Sequence, residues 1–459
     1  MEINHPSGAK GRDERTFIDH EIFKAYDIRG IYPREINEGV AYKIGRALVK
    51  FLKKKNLKIV VGRDQRPSSQ ILKKKLIEGI LDQGANIIDI GLSTSPLCYF
   101  AIAKYQFDGG VQVTASHLPK EYNGFKLLRK KAIFIGENTG LKKIEKIVQE
   151  TKKERPKRRG KIRKKRIIKD YFKFNLEEFK RFQRLRVVID NGKSICQILI
   201  PQISDISPLK IYHISPDRPL NPLEKGALKF LKREVGLKKA DLGVAFDGDG
   251  DRIIFVSEKG GILRGDLILA LLSKFILKEN PGEKILYDVS CSKIVPETIK
   301  KYGGKPVLSR IGHTFVSEKM RRENVFFGGE FSGHYYHKRH YFFEAPLFVL
   351  FKILEIISKE KKPISKLILP FQKYYHSGLI NLKLGNKKAV LKKIEKKYKG
   401  GKVLKIDGLR VEFEDFWFNL RPSQTESVLR LTIEAKTKKL LGKKKKELIT
   451  LIEKGKISK

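Results

Sequence analysis

DLGVAFDGDGDRIIFVS, residues 241–257, sets three acids, Asp247, Asp249 and Asp251, at every second position between two β-branched runs. Carboxylates at i, i+2 and i+4 with glycines between them can wrap their oxygens around one hard cation, and glycine lets the backbone curl tightly. An EF-hand is the rival reading, since Glu258 falls at its twelfth position. Its sixth position, however, holds Arg252 where glycine is required, and the flanks VAF and IIFVS have the character of strands, not helices. The stretch therefore reads as strand, acidic loop, strand; an Asp-rich hairpin turn without chemistry is the alternative. Ligands that are all oxygen favour Mg2+ over Zn2+.

Outward from this unit the chain alternates short β-branched runs with helical spacing, the pattern of βα units with parallel or mixed sheets. LKIVVG (57–62) predicts a strand and 67–84 a helix. NIIDIG (86–91) predicts a strand, SPLCYFAIAKYQ a helix, and GVQVTAS (110–116) a strand running into a loop. The basic run Lys152 to Arg166 reads as an exposed connector. The alternation restarts at RVVID (186–190) and again at RIIFVS, with a helix from Asp266 to about Lys278. The last ninety residues differ: GLINLKL, GKVLKI, LRVEF, FWFNL and SVLRLTIEA, with only two helical segments, predict a small α+β domain with an antiparallel sheet.

The 459 residues suggest three or four domains, and 41% hydrophobic residues suffice for several cores. Three scattered cysteines, Cys98, Cys196 and Cys291, exclude a disulfide framework and a CxxC zinc site, and suit a reducing compartment. The N-terminus lacks the apolar stretch of a signal peptide, and no run is long and apolar enough for a membrane helix. The expectation is a cytoplasmic protein. The net charge of +47 reads first as lysine spread over solvated surfaces; non-specific nucleic-acid adhesion is a side property consistent with it.

Five further motifs carry polar groups on loops. Thr114-Ala115-Ser116-His117 ends a strand on an exposed turn, with Lys126 nearby; an ordinary turn is the alternative. Gly328-Gly329-Glu330-Phe331-Ser332-Gly333-His334 mixes an acceptor, a hydroxyl and a titratable ring, suited to sugar hydroxyls. Arg421-Pro422-Ser423-Gln424-Thr425 offers a guanidinium fork and neutral donors, suited to a phosphate dianion. Tyr26 and Arg29 share one loop, and Gly312-His313 follows a strand.

Taken in this order, the six motifs resemble the α-D-phosphohexomutase family, closest to its phosphomannomutase/phosphoglucomutase branch. The resemblance runs from about Phe23 to Ala435. It implies three βα domains with mixed sheets plus a smaller C-terminal α+β domain around a central cleft. Boundaries are expected at 18–160, 161–261, 262–370 and 371–459, each domain giving one loop to the site. By the same resemblance Ser116 is the phosphoserine and, with Asp247, Asp249 and Asp251, binds Mg2+. His117, Lys126, Arg252 and His334 join Ser116 as catalytic groups, with Lys126 and His334 the candidates for acid–base work. Glu330 and Ser332 hold sugar hydroxyls, and Tyr26, Arg29, Gly312 and His313 touch the ligand. Arg421, Ser423, Gln424 and Thr425 anchor the phosphate that is not transferred. The implied reaction interconverts hexose 1-phosphate and hexose 6-phosphate, mannose or glucose, through a hexose 1,6-bisphosphate. Phosphoglucosamine mutase and a Mg2+-dependent phosphatase are the alternatives. The partners are small phosphosugars, with no membrane, and the protein is a monomer or homodimer. The sequence departs from the family pattern at Leu118, Ser290, Leu379, Gln424, Ser427 and the run Phe343-Glu344-Ala345-Pro346.

Overall fold

The structure, a computed structural model, describes residues 18–151, 159–179, 182–383, 387–423 and 428–454. Its strands form four sheets. The first contains β1 (Ile28–Ile31), β2 (Lys58–Arg63), β3 (Asn86–Leu92), β4 (Gly109–Val113), β5 (Tyr122–Arg129), β6 (Ile133–Phe134) and β7 (Ile162–Lys164), in the order β1-β5-β4-β2-β3-β7 with β6 beside β5. Helices α1 (Glu38–Leu52), α2 (Ser69–Asp82), α3 (Ser95–Lys104) and α4 (Leu141–Glu150) accompany it. The connecting stretch carries α5 (Ile168–Leu176).

The second sheet orders as β12-β11-β10-β8-β9, from β8 (Arg186–Asp190), β9 (Lys210–Ile214), β10 (Leu242–Phe246), β11 (Ile253–Ser257) and β12 (Ile262–Leu263), with α6 (Ile200–Ser204) and α7 (Lys229–Leu237). The third joins β13 (Lys284–Asp288), β14 (Lys305–Ser309), β15 (Phe327–Gly329) and β16 (Tyr335–His337) with α8 (Gly265–Glu279), α9 (Ile294–Lys301), α10 (His313–Glu323), α11 (Pro346–Glu360) and α12 (Ile364–Ile368). The fourth is antiparallel throughout: β17 (Tyr375–His376), β18 (Ile380–Leu382), β19 (Lys402–Leu404), β20 (Leu409–Glu412), β21 (Phe416–Pro422) and β22 (Leu429–Ala435), with α13 (Lys387–Lys397) and α14 (Lys438–Lys454). This is the expected fold class.

One rule positions the functional loops. In each of the first three sheets a parallel strand is followed by an antiparallel partner: β4 by β5, β10 by β11, β15 by β16. The connection between them leaves from the carboxyl end of a parallel strand, where open α/β sheets place their ligands. The three connections are the TASH, DGDGD and GEFSGH loops. Strand β10 is buried along its whole length, as a strand covered on both faces must be, so its loop is the first part of it free for chemistry.

Two expectations need correction. The basic run is not wholly a connector: Ile162–Lys164 pairs in parallel with β3 as the edge of the first sheet. A short strand that the sequence reading did not foresee, β12, pairs with β11. Both strands escape sequence reading because they are two or three residues long and partly exposed, with no alternation to mark them. Finally, Ser116 is only 2% exposed; its turn faces inward against the second domain instead of outward. Among the described residues, no helix is long and apolar enough to cross a membrane.

Helices α1 and α2 cross at two glycines. A Cβ on Gly79 would stand 2.1 Å from the Tyr42 carbonyl oxygen, and one on Gly45 2.3 Å from that of Leu76. Helix propensity alone favours alanine over glycine by about 1 kcal/mol, but here the clash is with backbone. We expect Gly79→Ala to lower the thermal midpoint despite its propensity gain. Gly236→Ala, in α7 with nothing within 4 Å of the new Cβ, should not lower it. Differential scanning calorimetry of the two variants separates these outcomes.

Candidate active site

Ser116 sits in the left-handed region, φ +54°, a conformation that costs a non-glycine residue about 1–3 kcal/mol and persists only when its surroundings enforce it. Arg66 supplies the enforcement. Its guanidinium donates to the carbonyls of Ser116 (2.8 Å), Leu118 (2.6 Å), Pro119 (2.6 Å) and Tyr122 (2.9 Å), and its Nε donates to Asp64 at 3.2 Å. Asp64 also accepts from the Thr114 hydroxyl at 2.7 Å, and the Thr114 oxygen accepts from the Ser116 backbone N–H at 2.9 Å. Sequence reasoning missed this clamp. Its trace was the pair of opposite charges in GRDQR, 62–66, between a central strand and the helix that follows it.

Two domains meet at the serine. Its Oγ is 3.2 Å from His117 Nδ1 and donates to Asp247 Oδ2 at 3.3 Å. A Cβ on Gly248 would stand 2.2 Å from the Ser116 carbonyl oxygen, so only glycine lets the acidic loop seat against the serine loop. Asp247, Asp249 and Asp251 are all buried, and one carboxylate oxygen from each lies within 4.8 Å of the others. Lys126, from β5, donates to Asp249 at 2.7 Å and to Asp251 at 2.6 Å. Arg252 joins the groups: its backbone N–H donates to Asp247 at 3.2 Å, and its side chain reaches His117 at 3.0 Å and His334 at 3.2 Å. His334 Nε2 lies 3.2 Å from Asp251, and its Nδ1 lies 3.0 Å from Glu330.

Charge states follow from these neighbours. Burial pushes the Asp247 carboxyl up, and Asp251 and Asp249 push it further. Burial would also raise Asp251, but Lys126 and His334 hold it well below the usual carboxylate range. Burial opposes the Lys126 charge, yet Asp249 and Asp251 hold it well above the ordinary lysine value. His334 is disfavoured as a cation by burial, and Asp251 and Glu330 nevertheless lift it to about 10. His117 is pushed well below its ordinary value by burial, then by Arg252 and Arg29, and is neutral.

The third domain closes the cluster. Glu330 accepts from the Gly312 N–H at 2.7 Å and the Tyr336 hydroxyl at 2.9 Å, and Ser332 Oγ lies 2.8 Å from His334 Nδ1. Tyr26 packs against Gly312 and lies 5.7 Å, centroid to centroid, from the His313 ring. Arg29 is buried and paired with Asp27 at 2.6 Å, while its Nη1 has no hydrogen-bond partner. His313 Nε2 is also unpartnered. In the fourth domain Arg421 is buried, its Nε 3.9 Å from Asp407, which in turn accepts from the Ile311 N–H at 3.2 Å. Ser423 follows at the end of β21; Gln424 and Thr425 lie outside the described residues.

The acid triad fits a divalent cation. Its donors are all carboxylate oxygens, they converge, and Asp249 Oδ1 is buried without a hydrogen-bond partner. Hard oxygen ligands of this kind suit Mg2+ or Ca2+ rather than soft metals. The arrangement as a whole places a hydroxyl beside such a site, ringed by Lys126, Arg252 and His334. That is what charge neutralisation at a phosphoryl group requires.

Comparisons with known proteins point the same way. The four domains described as phosphoglucomutase/phosphomannomutase α/β/α domains I, II and III and C-terminal domain match residues 20–155, 166–261, 264–374 and 379–451. The chain is 40% identical to a phosphomannomutase of Methanocaldococcus jannaschii, covering 95% of this chain and 99% of the relative. It is 31% identical to a phosphomannomutase/phosphoglucomutase of Pseudomonas aeruginosa, covering 92% and 93%. A crystal structure of a phosphoglucomutase/phosphomannomutase family protein from Burkholderia thailandensis superposes with a TM-score of 0.87 at 28% identity, covering 96% and 99%.

Removing one acid tests the triad as a cation site. We expect Mg2+ to raise the thermal midpoint of the wild type, since saturation at about 100 times Kd stabilises by roughly 2.7 kcal/mol. Asp247→Asn should abolish that rise and leave the metal-free midpoint unchanged or higher, because a buried, mutually repelling carboxylate becomes neutral. A Mg2+-dependent shift of wild-type size in the variant would count against the site.

Proposed function

The chain belongs to the phosphoglucomutase/phosphomannomutase family, and from that premise we infer that it interconverts hexose 1-phosphates and hexose 6-phosphates through a phosphoserine at Ser116. It is an isomerase of hexose phosphates, with mannose or glucose as the sugar. The observation that carries the reading is the meeting of the Ser116 hydroxyl, the acid triad, Lys126, Arg252 and His334 in one buried cluster drawn from three domains.

In the cycle we propose, phospho-Ser116 gives its phosphoryl group to the free hydroxyl of a hexose monophosphate. The Ser116 Oγ–P bond breaks, a sugar O–P bond forms, and the hydroxyl proton passes to an acceptor in the cleft. The resulting 1,6-bisphosphate turns end for end, and its other phosphate returns to Ser116. Lys126 and His334, each paired with the acids beside the serine, are the candidates for moving the proton, one giving it to the departing serine oxygen and the other taking it from the sugar hydroxyl. His117, 3.2 Å from the serine oxygen, stands on the leaving side. Arg252 reaches both histidines and lies where a moving phosphoryl group needs a cation. Mg2+ held by Asp247, Asp249, Asp251 and the serine oxygen would offset charge on the phosphoryl oxygens. Glu330 and Ser332 are the sugar ligands, with Tyr26, Gly312 and His313 beside them. Arg29, with its unpartnered Nη1, and Arg421, Ser423, Gln424 and Thr425 take phosphate. Each chain carries all four loops, so a monomer suffices, and a homodimer would contain two independent sites. The three cysteines are free and buried, which fits the cytoplasm.

Two experiments test this. A coupled assay with glucose 1-phosphate and mannose 1-phosphate, primed with a trace of hexose 1,6-bisphosphate, should show turnover, and Ser116→Ala should lose nearly all of it while keeping its thermal midpoint. Intact-mass measurement should find one phosphate on the active protein and none on the variant; full activity in the variant would sink the assignment.

The clamp on the serine loop generates a separate expectation. Arg66→Lys cannot reach four carbonyls, so the serine should stray from its place. We expect kcat to fall at least about tenfold, since misplacement of reacting groups by about 1 Å can cost a hundredfold. KM should change little, because Arg66 touches no ligand loop of the third or fourth domain. An equal loss in both parameters, or none, would reduce Arg66 to a structural role.

A further inference from the structure

On the far side of the first sheet, α2 and the edge strand β7 enclose a groove of about 1120 Å³. Seven cationic side chains line it against two acids, Glu78 and Asp89. Asp89 is paired with Lys73, Glu78 with Lys75, and Arg159 with Asp82 outside the groove; the groove keeps an excess of positive charge. Lys74, Lys164 and Arg166 are exposed and form no ion pair with any described residue. The register explains the placement. Alternate residues of a strand face the same way: Ile162 and Lys164 line the groove, and Arg163 between them does not. Strands β2 and β3 stand between this edge and the β4–β5 connection that carries Ser116, so the groove is separate from the site described above.

We propose that this groove binds the phosphodiester backbone of single-stranded RNA without reading its bases. Cations from α2 and from β7 and the residues after it line one groove and can take successive phosphates of a strand, and binding of this kind needs only charge and counterion release. Among the described residues no aromatic side chain lines the groove, so these offer neither the stacking platform of base recognition nor the aromatic anchors typical of protein interfaces. RNA is the single-stranded polyanion that a cytoplasmic protein meets.

The test is the salt dependence of binding to a fluorescent 20-nucleotide oligouridylate, read by anisotropy on the full chain. Single-strand binding loses about 0.7 in log–log salt slope for each phosphate contact removed. The variant Lys74→Gln/Lys164→Gln/Arg166→Gln should therefore lose about 2 in slope and bind roughly 100-fold more weakly near 0.1 M salt. The control Lys388→Gln/Lys392→Gln/Lys396→Gln removes the same charge from exposed positions on α13 and should bind nearly as the wild type does. Both variants should keep wild-type thermal midpoints. Equal losses in the two variants would mean diffuse adhesion to a chain of charge +47 and would overturn the proposal. So would no binding by the wild type at low salt, or displacement of the RNA by polyglutamate of equal length and concentration.

Discussion

Three carboxylates are buried within a few ångströms of one another, and the rest of the structure is arranged around making that tolerable. Charges of like sign in a dry site repel, and each loses its hydration on burial. The compensation is drawn from separate places in the chain: Lys126 from the first domain, Arg252 from the loop itself, His334 from the third domain. Lys126 and His334 are in turn buried, Arg252 partly so, and each needs the acids. The cluster thus binds the domains together more specifically than apolar contact can, since a small rotation of any one would leave a charge unpaired. The positioning of Ser116 is part of the same network through Asp247.

The delivery of the loops is a matter of topology. Each of the three α/β sheets turns from parallel to antiparallel at one strand, and the hairpin made there projects from the same end of the sheet. Repeating that device three times brings a serine, an acid triad and the GEFSGH loop to one place without any long excursion of the chain. The fourth domain, antiparallel throughout, joins differently. It rests on the third through the Arg410 guanidinium, which donates to the Val289 carbonyl at 2.6 Å and covers the Trp417 ring at 3.7 Å. The Glu434 carboxylate accepts from Lys293 N–H at 2.9 Å and from the Trp417 indole at 2.7 Å.

The acidic loop was legible in the sequence because its chemistry is local: five consecutive residues hold every donor that the triad offers. The fold class was legible because the βα alternation is strong in the buried strands. What escaped reading was non-local or unpatterned. Arg66 acts on carbonyls fifty or more positions away, and a backbone oxygen has no letter in the sequence. Strand β7, Ile162-Arg163-Lys164, is exposed at every residue, so it carries no periodic signature and exists only because β3 offers it an edge. The burial of Ser116 could not be inferred from its own turn, since the surface that covers it belongs to another domain.

The seating of Gly248 against the Ser116 carbonyl has a bearing on how such a protein can change over generations. The fit joins residues 132 positions apart, encoded in different domains, and it leaves no room for one carbon atom. Recombination between relatives at the boundary of the first two domains would thus be viable only where both parents share this interlock. Exchange at the junction before the fourth domain meets no constraint so tight at the serine. Inheritance should accordingly treat the first two domains as one block, while the last is tied instead to the third through Arg410 and Glu434.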